Sequence, residues 1–232
     1  MREPAPGAGG ATPTVRAALS DAGLRAALPA VGLLALNVAL GRALTRRPEL
    51  TRRETAAINR LRTHRTPALD RAARMVSTAA DVPASVVHGV VLVAVLHHRS
   101  RQWWRAAVPG LALILETAVY LGSGALVRRP RPDVERLDHD QPTSSFPSGH
   151  QGATVALMVV YALLARGVHP VWLRTLIRTG CLAYPTGLAW GRLYTGMHYP
   201  SDVAMGTVNG VAAGLLGWHY LRPSRSRGAG AR

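Results

Sequence analysis

With 232 residues the chain has room for one domain and is short for two, and its single cysteine, Cys181, excludes an intramolecular disulfide and a cysteine metal cluster. The formal net charge of +16 comes from 28 arginines and no lysine, a balance suited to nucleic acid, an anionic membrane surface or a phosphorylated substrate. Mean hydropathy is only slightly positive, because arginine is concentrated between apolar runs.

Residues 1–23, rich in Gly, Ala and Pro, read as a disordered tail without a signal-peptide core. Six runs then follow that are nearly free of charge: 26–41, 82–96, 106–127, 153–165, 179–191 and 203–221, with Glu116 the exception. Several fall short of the roughly 20 residues that cross a bilayer, and a turn of flanking Gly, Ser, Thr, His or Trp lengthens most of them. The run 179–191 must tolerate Arg178 near one end, which a long arginine stem permits by snorkelling. Trp103, Trp104, Trp172, Trp190 and Trp218 all lie near run ends, as in an interfacial aromatic belt. The expectation is an all-α, polytopic membrane bundle of about six transmembrane helices over residues 24–222, with a basic disordered tail at 223–232. Membrane lipids and a phosphorylated substrate, not nucleic acid, are then the partners of the positive charge. Cys181, in an apolar stretch, reads as a small buried hydrophobe.

Arginines in short loops set the orientation. Arg99, Arg101 and Arg105 lie after the second run, Arg166 and Arg174 after the fourth, and four more arginines follow the sixth. These segments and the N-terminus belong on the cytoplasmic face, which puts loops 128–148 and 192–202 outside. Segment 45–80 would also lie outside, although it holds nine arginines against Glu49, Glu54 and Asp70. Within it Ala56, Ile58, Leu61, Leu69, Ala72 and Met75 form apolar stripes of amphipathic helices. The segment reads as lying on anionic lipid; a lip that gathers phosphorylated lipid is the alternative.

The two outer loops contain all the candidate catalytic groups. In Pro147-Ser148-Gly149-His150, Ser148 can cap the fourth helix, and Gly149 lets a ligand approach the backbone. The helix N-terminus offers N–H groups and a positive dipole end to phosphate, with His150 beside it. Taken alone, this is equally an ordinary Ser-Gly helix start. Pro200 between His198 and Asp202 implies a turn, in which Asp202 can accept the proton of one imidazole nitrogen and leave the other free to attack. A helix cap with an interfacial histidine is the bland alternative. Arg131 and Arg192 supply planar charged forks for phosphate oxygens. A zinc site from His150, His198 and Asp202 would set both arginines beside a cation, so neither metal nor cofactor is expected. Glu116 shares a stripe with Tyr120, Gly124 and Arg128, and its expected contact is Arg178 or polar groups beneath the site. The acids Asp133, Glu135, Asp138 and Asp140 read as a solvated loop face. His64, His88, His97, His98, His139, His169 and His219 show no partner spacing.

Jointly, these segments resemble the type 2 phosphatidic acid phosphatase superfamily of membrane lipid phosphatases, which shares its site with vanadium haloperoxidases. The family pattern K-x6-R-P, P-S-G-H and S-R-x5-H-x3-D is met at Arg131-Pro132, at Pro147–His150, and at Arg192, His198 and Asp202. The resemblance extends over roughly residues 45–221. It implies that His198 forms a phosphohistidine and is oriented by Asp202. By the same resemblance His150 protonates the leaving oxygen and then activates water, while Arg131, Arg192, Ser148 and the Gly149 amide hold the phosphate. Two positions depart from the pattern: Gly124 stands at the lysine and Gly191 at the serine. Arg128, one turn beyond Gly124, or Arg129 is expected to supply the missing cation. The expected activity is metal-independent hydrolysis of a lipid phosphate or diphosphate, of polyprenyl diphosphate or phosphatidate type, at the outer face of the cell membrane. A degenerate site that binds anionic lipid without turnover is the alternative, and the apolar runs argue against a haloperoxidase.

Overall fold

The computed structural model describes residues 14–16, 23–138 and 143–220; most of both tails, together with His139 and Asp140, lies outside them. The described residues are all-α and contain no strand. A π-helical turn, Gly23–Ala27, leads into α1 (Leu28–Thr45). Then come α2 (Pro48–Leu61), α3 (Pro67–Thr78), α4 (Val82–Ser100), α5 (Trp103–Val127), α6 (Gly149–Leu164), α7 (Val171–Tyr194) and α8 (Pro200–Tyr220). Each of the six apolar runs falls on one of α1 and α4–α8. Proline opens the first turn of α1 to α4, where its missing N–H costs no hydrogen bond. Arg101 and Arg128, both at left-handed φ, end α4 and α5.

Helices α5, α6 and α8 form the centre; α1 and α4 flank α5, α7 packs on α6, and α3 lies against α7. The close pairing of α6 and α8 depends on glycine. A Cβ at Gly206, Gly210 or Gly214 would stand 2.4, 2.4 and 2.9 Å from the carbonyl oxygens of Ser148, Gly152 and Ala156. Such small-residue stripes let two backbones meet, as packing within a bilayer favours. Asn37 of α1 and Asn209 of α8 exchange amide hydrogen bonds of 2.9 and 3.0 Å inside the bundle.

Large apolar side chains point outward, among them Leu28 and Val31 on α1, Val87 and Val90 on α4, Ile114 on α5, and Leu176 and Leu182 on α7. Apolar side chains exposed on several helices at once are what a bilayer selects. By length and composition two helical stretches, Arg25–Thr45 and Trp103–Val127, are long and apolar enough to cross a membrane. The pair Pro67–Thr78 and Pro83–Ser100, bent by 49°, makes a third if read as one broken span. The other three helices fall short for physical reasons: α6 has 16 residues, α7 carries Arg174, Arg178 and Arg192, and α8 is diluted by glycine.

Segment 45–80 folds as two helices whose buried face differs from the expected stripes. Ile58 is buried, but Leu61, Leu69 and Met75 are exposed, and the inward positions are Glu54, Ile58, Ala73 and Ser77. The polar pair among these turns toward the site described next, which leaves the apolar stripes outside.

Candidate active site

The site lies where the ends of α5, α6, α7 and α8 meet the elbow between α3 and α4. Tyr199 sits at the N-cap of α8, and the Asp202 carboxylate reaches back to accept its N–H at 2.9 Å. Glu54 of α2 accepts the next N–H, from Ser201, at 2.8 Å. His198 is therefore held on the turn just outside the helix. Loop 143–148 is anchored by Phe146, the only phenylalanine, which is buried against Val127 and Met205. Below that ring lies Gly41, where a Cβ would come within 2.8 Å.

His198 donates from Nδ1 to the Ser145 carbonyl at 2.7 Å, which leaves Nε2 with its lone pair. Arg192 Nη2 lies 3.3 Å from that Nε2. Burial, with the nearby Arg192 and Arg131 charges, pushes the His198 pKa well below its ordinary 6.5. The imidazole is thus neutral, buried and aimed at a guanidinium. This arrangement corrects the expected direct pair with Asp202, whose Oδ2 is 3.9 Å from Nδ1. Asp202 instead accepts from Arg129 and from the Ser145 hydroxyl, both at 2.5 Å. It acts on His198 through the Ser145 loop, whose carbonyl it helps to place.

Arg129 and Arg128, the two expected substitutes for the missing lysine, sit in different surroundings. Arg129 is buried and bonded to Glu54 at 2.7 Å, Asp202 at 2.5 Å and the Ser201 hydroxyl at 2.7 Å, over the Tyr199 ring. It neutralises two carboxylates, which take both of its Nη groups. Arg128 is exposed, with Nε on the Ala125 carbonyl at 3.1 Å. It lines, with Tyr120, Gly124 and Thr143, a cavity of about 530 Å³ beside the site. The departures at the two motif positions have steric settings. A Cβ at Gly124 would stand 3.5 Å from Ser144 Cβ, an ordinary contact, and one at Gly191 would be a tighter 3.3 Å from the Ala73 carbonyl of α3.

Arg192, fully buried, donates from Nη1 to the Ser77 hydroxyl at 2.6 Å and to Asp138 at 2.9 Å. Its Nε has no hydrogen-bond partner among the described residues, and neither does the hydroxyl of buried Ser148. Ser148 takes the N-cap position of α6 without making the expected capping bond, so both groups are polar, buried and turned inward. Arg131 holds the Met197 carbonyl at 2.7 Å and the Thr143 hydroxyl at 3.2 Å, which ties loop 143–148 to the His198 turn. Tyr120 packs over Gly149, where a Cβ would come within 2.9 Å of its ring. His150, in the first turn of α6, pairs through Nε2 with Asp81 at 2.9 Å. Two guanidinium groups, two imidazoles and a helix N-terminus thus converge, a constellation suited to a tetrahedral oxyanion.

Sequence reasoning missed Glu54, Ser77, Asp81, Asp138 and Ser145. Asp138 departs from the expected solvated face, since it meets Arg192 at 2.9 Å, whereas Glu135 is exposed as expected and pairs there with Arg65 at 2.5 Å. The available signal was the scarcity of acids, since Glu49, Glu54 and Asp70 are the only ones in the arginine-rich segment. Glu116 is buried and faces the Gly152 backbone, while Arg178, one of its two expected contacts, is exposed on α7.

The chain matches the PAP2 superfamily over residues 105–226, just over half its length. It is 32% identical over 124 residues to decaprenylphosphoryl-5-phosphoribose phosphatase of Mycobacterium tuberculosis, covering 52% of this chain and 62% of that protein. The chain therefore spans less than two thirds of that relative. A candidate undecaprenyl-diphosphatase of Escherichia coli, YbjG, is 29% identical over 160 residues, covering 64% of this chain and 72% of that protein. Among solved structures, a transmembrane PAP2 type phosphatidylglycerolphosphate phosphatase from Bacillus subtilis superposes with a TM-score of 0.71 at 19% identity, covering 82% of this chain and 94% of that one. Aquifex aeolicus LpxE superposes with a TM-score of 0.57 at 20% identity, covering 70% and 93%. These two likenesses establish the fold. With the family match spanning α5 to α8 and the motif side chains gathered at one end of those helices, this chain is a membrane protein of the PAP2 superfamily.

Proposed function

We propose that this protein is an integral-membrane phosphatase that hydrolyses a lipid phosphate or diphosphate through a phosphohistidine on His198. The observation that carries the reading is the His198 imidazole, neutral and buried, with Nδ1–H fixed on Ser145 and Nε2 facing Arg192. Nε2 attacks phosphorus while the bond to the lipid oxygen breaks, and that oxygen takes a proton from His150. Water then gives a proton back to His150, its oxygen attacks phosphorus, and the P–N bond breaks to release phosphate. Arg192, Arg131, the Ser148 hydroxyl and the Gly149 amide hold the phosphate oxygens, so the chain's own cations neutralise the charge that develops. No metal or cofactor enters this scheme.

Helices α1 and α4 to α8 serve as six spans, with the arginine-rich connections in the cytoplasm and the site at the outer face of the cell membrane. A polyprenyl-linked phosphate or diphosphate is the favoured substrate class, because both curated relatives described above carry polyprenyl substrates in their names. The cavity between Tyr120, Leu121 and Ala125 opens beside the site and gives a tail a lateral route.

The test is phosphate release by purified protein from a panel of prenyl phosphates, prenyl diphosphates and phosphatidate, with and without chelator. Chelator-resistant release that His198→Ala abolishes supports the proposal. Binding of the same lipids without release identifies an anionic-lipid binder instead, the reading that Gly124 and Gly191 would favour.

A further inference from the structure

We propose that Asp81, on the elbow between α3 and α4, is a positioning residue that acts through His150. Its carboxylate holds one imidazole nitrogen so that the other faces the leaving oxygen. The elbow lies outside the segment that matches the family, residues 105–226, so no motif assigns it. The inference rests on the reading of His150 as the acid that protonates the lipid oxygen.

The geometry has two independent parts. The first is the contact itself: Asp81 Oδ1 is 2.9 Å from Nε2 of a His150 that is 8% exposed. The second is what Asp81 forgoes. It stands at the N-cap of α4, where an aspartate ordinarily accepts a hydrogen bond from its own helix, yet it makes no such bond. The carboxylate is turned away from the helix and toward the histidine. The elbow is fastened on both sides, by Tyr184 Oη on the Ala79 carbonyl at 3.0 Å and by Ser77 on Asp138 and Arg192. Asp81 is therefore placed by α7 and by the site.

Charge supplies the reason for the contact. His150 is faced by Arg192 from α7, by His198 from the turn before α8, by Asp138 from the loop after α5, and by Asp81. Burial and the Arg192 charge hold the His150 pKa below its ordinary 6.5, and the carboxylate bonded to the ring works against them by supporting the imidazolium. With Nε2–H given to Asp81, Nδ1–H is the proton for the lipid oxygen. When that proton leaves, Nδ1 becomes the base for water while Nε2–H stays on Asp81. This is how a carboxylate fixes tautomer and orientation in an acid–base histidine.

The decisive experiment compares kcat/KM for an alkyl lipid phosphate with kcat/KM for 4-nitrophenyl phosphate in detergent-solubilised protein. The lipid alkoxide needs a proton to depart and nitrophenolate does not. Asp81→Asn is expected to lower kcat/KM for the lipid by about 30-fold and for the aryl ester by less than about 3-fold, with Asp81→Glu regaining part of the loss. Equal losses on both substrates, no loss, or a gain through release of a competing carboxylate would each overturn the proposal. His150→Ala separates the two levels of the argument. If it shows the selective loss and Asp81→Asn does not, the Asp81 inference fails alone. If His150→Ala shows no selectivity, the assignment of His150 as the acid fails first.

Discussion

Arg129 and Asp202 form a buried ion pair at 2.5 Å, and it is this arginine, not His198, that the aspartate touches. Glu54 shares the guanidinium from the other side at 2.7 Å, so one cation holds two carboxylates from helices far apart in the chain. Asp202 then fixes Ser145, and the Ser145 carbonyl fixes the His198 tautomer. The His198 imidazole is thus set by a relay of four residues whose anchor is Arg129.

Removing that anchor leaves two buried carboxylates without a counter-charge. Arg129→Met is expected to destabilise the folded protein by about 3–5 kcal/mol, read as a lower unfolding temperature in detergent. Arg128→Ala, which removes only an exposed side chain, should stay within about 0.5 kcal/mol. Equal melting temperatures for wild type and Arg129→Met would contradict the relay.

The depressed pKa of His198 makes a prediction about pH. Because it is held below 6.5, the imidazole stays unprotonated as pH falls through 6.5, and the proposed nucleophile keeps its lone pair in mildly acid solution. The same shift costs stability there, since the unfolded chain binds a proton that the folded chain refuses. The acid limb of kcat/KM should therefore lie below pH 6.5, and Arg131→Gln should move it upward by removing one of the charges that hold it down. A limb that stays in place, or moves lower, would sink this account of the shift.

Glycine at 206 sets the spacing of the two site-bearing helices. A Cβ there meets the Ser148 carbonyl at 2.4 Å, and Ser148 N–H is itself bonded to the Asp202 carbonyl at 3.0 Å. Gly206→Ala should cost about 1–3 kcal/mol and lower turnover together, because it pushes α8 from the start of α6. Gly32→Ala, with nothing within 4 Å of the new carbon, is the control expected to change neither. Unaltered turnover in Gly206→Ala would show that the spacing is slack.

Asp138 sits on Arg192 at 2.9 Å, where a substrate oxyanion would compete with it. Asp138→Asn should therefore tighten inhibition by orthovanadate, a phosphate-shaped anion. Weaker inhibition would mean that Asp138 serves to orient Arg192.

The helices were largely legible from hydropathy, because a run of apolar residues reports its own environment. The positions of His150, Arg192, His198 and Asp202 were legible too, because they lie in short motifs with fixed internal spacing. Partners were not. Pro200 implied the turn that holds His198 just before α8, and in that turn Asp202 was expected to accept from the imidazole, but the ring meets the Ser145 carbonyl instead. Asp81 and His150 are 69 residues apart, and Glu54 and Ser201 are 147 apart. Such pairs are created by packing and leave no local pattern. Arg129 illustrates the limit, since its place next to the motif offered it, or Arg128, as the missing cation, and nothing local shows the buried carboxylates that claim both its Nη groups.

The central claim is a covalent phosphoryl group on His198. Purified protein mixed with a lipid phosphate labelled in the phosphoryl group, quenched in base within milliseconds and digested, should yield one labelled peptide with phosphate on His198. The label should vanish in His198→Ala. Label on another residue, or continued turnover by His198→Ala, would contradict the account.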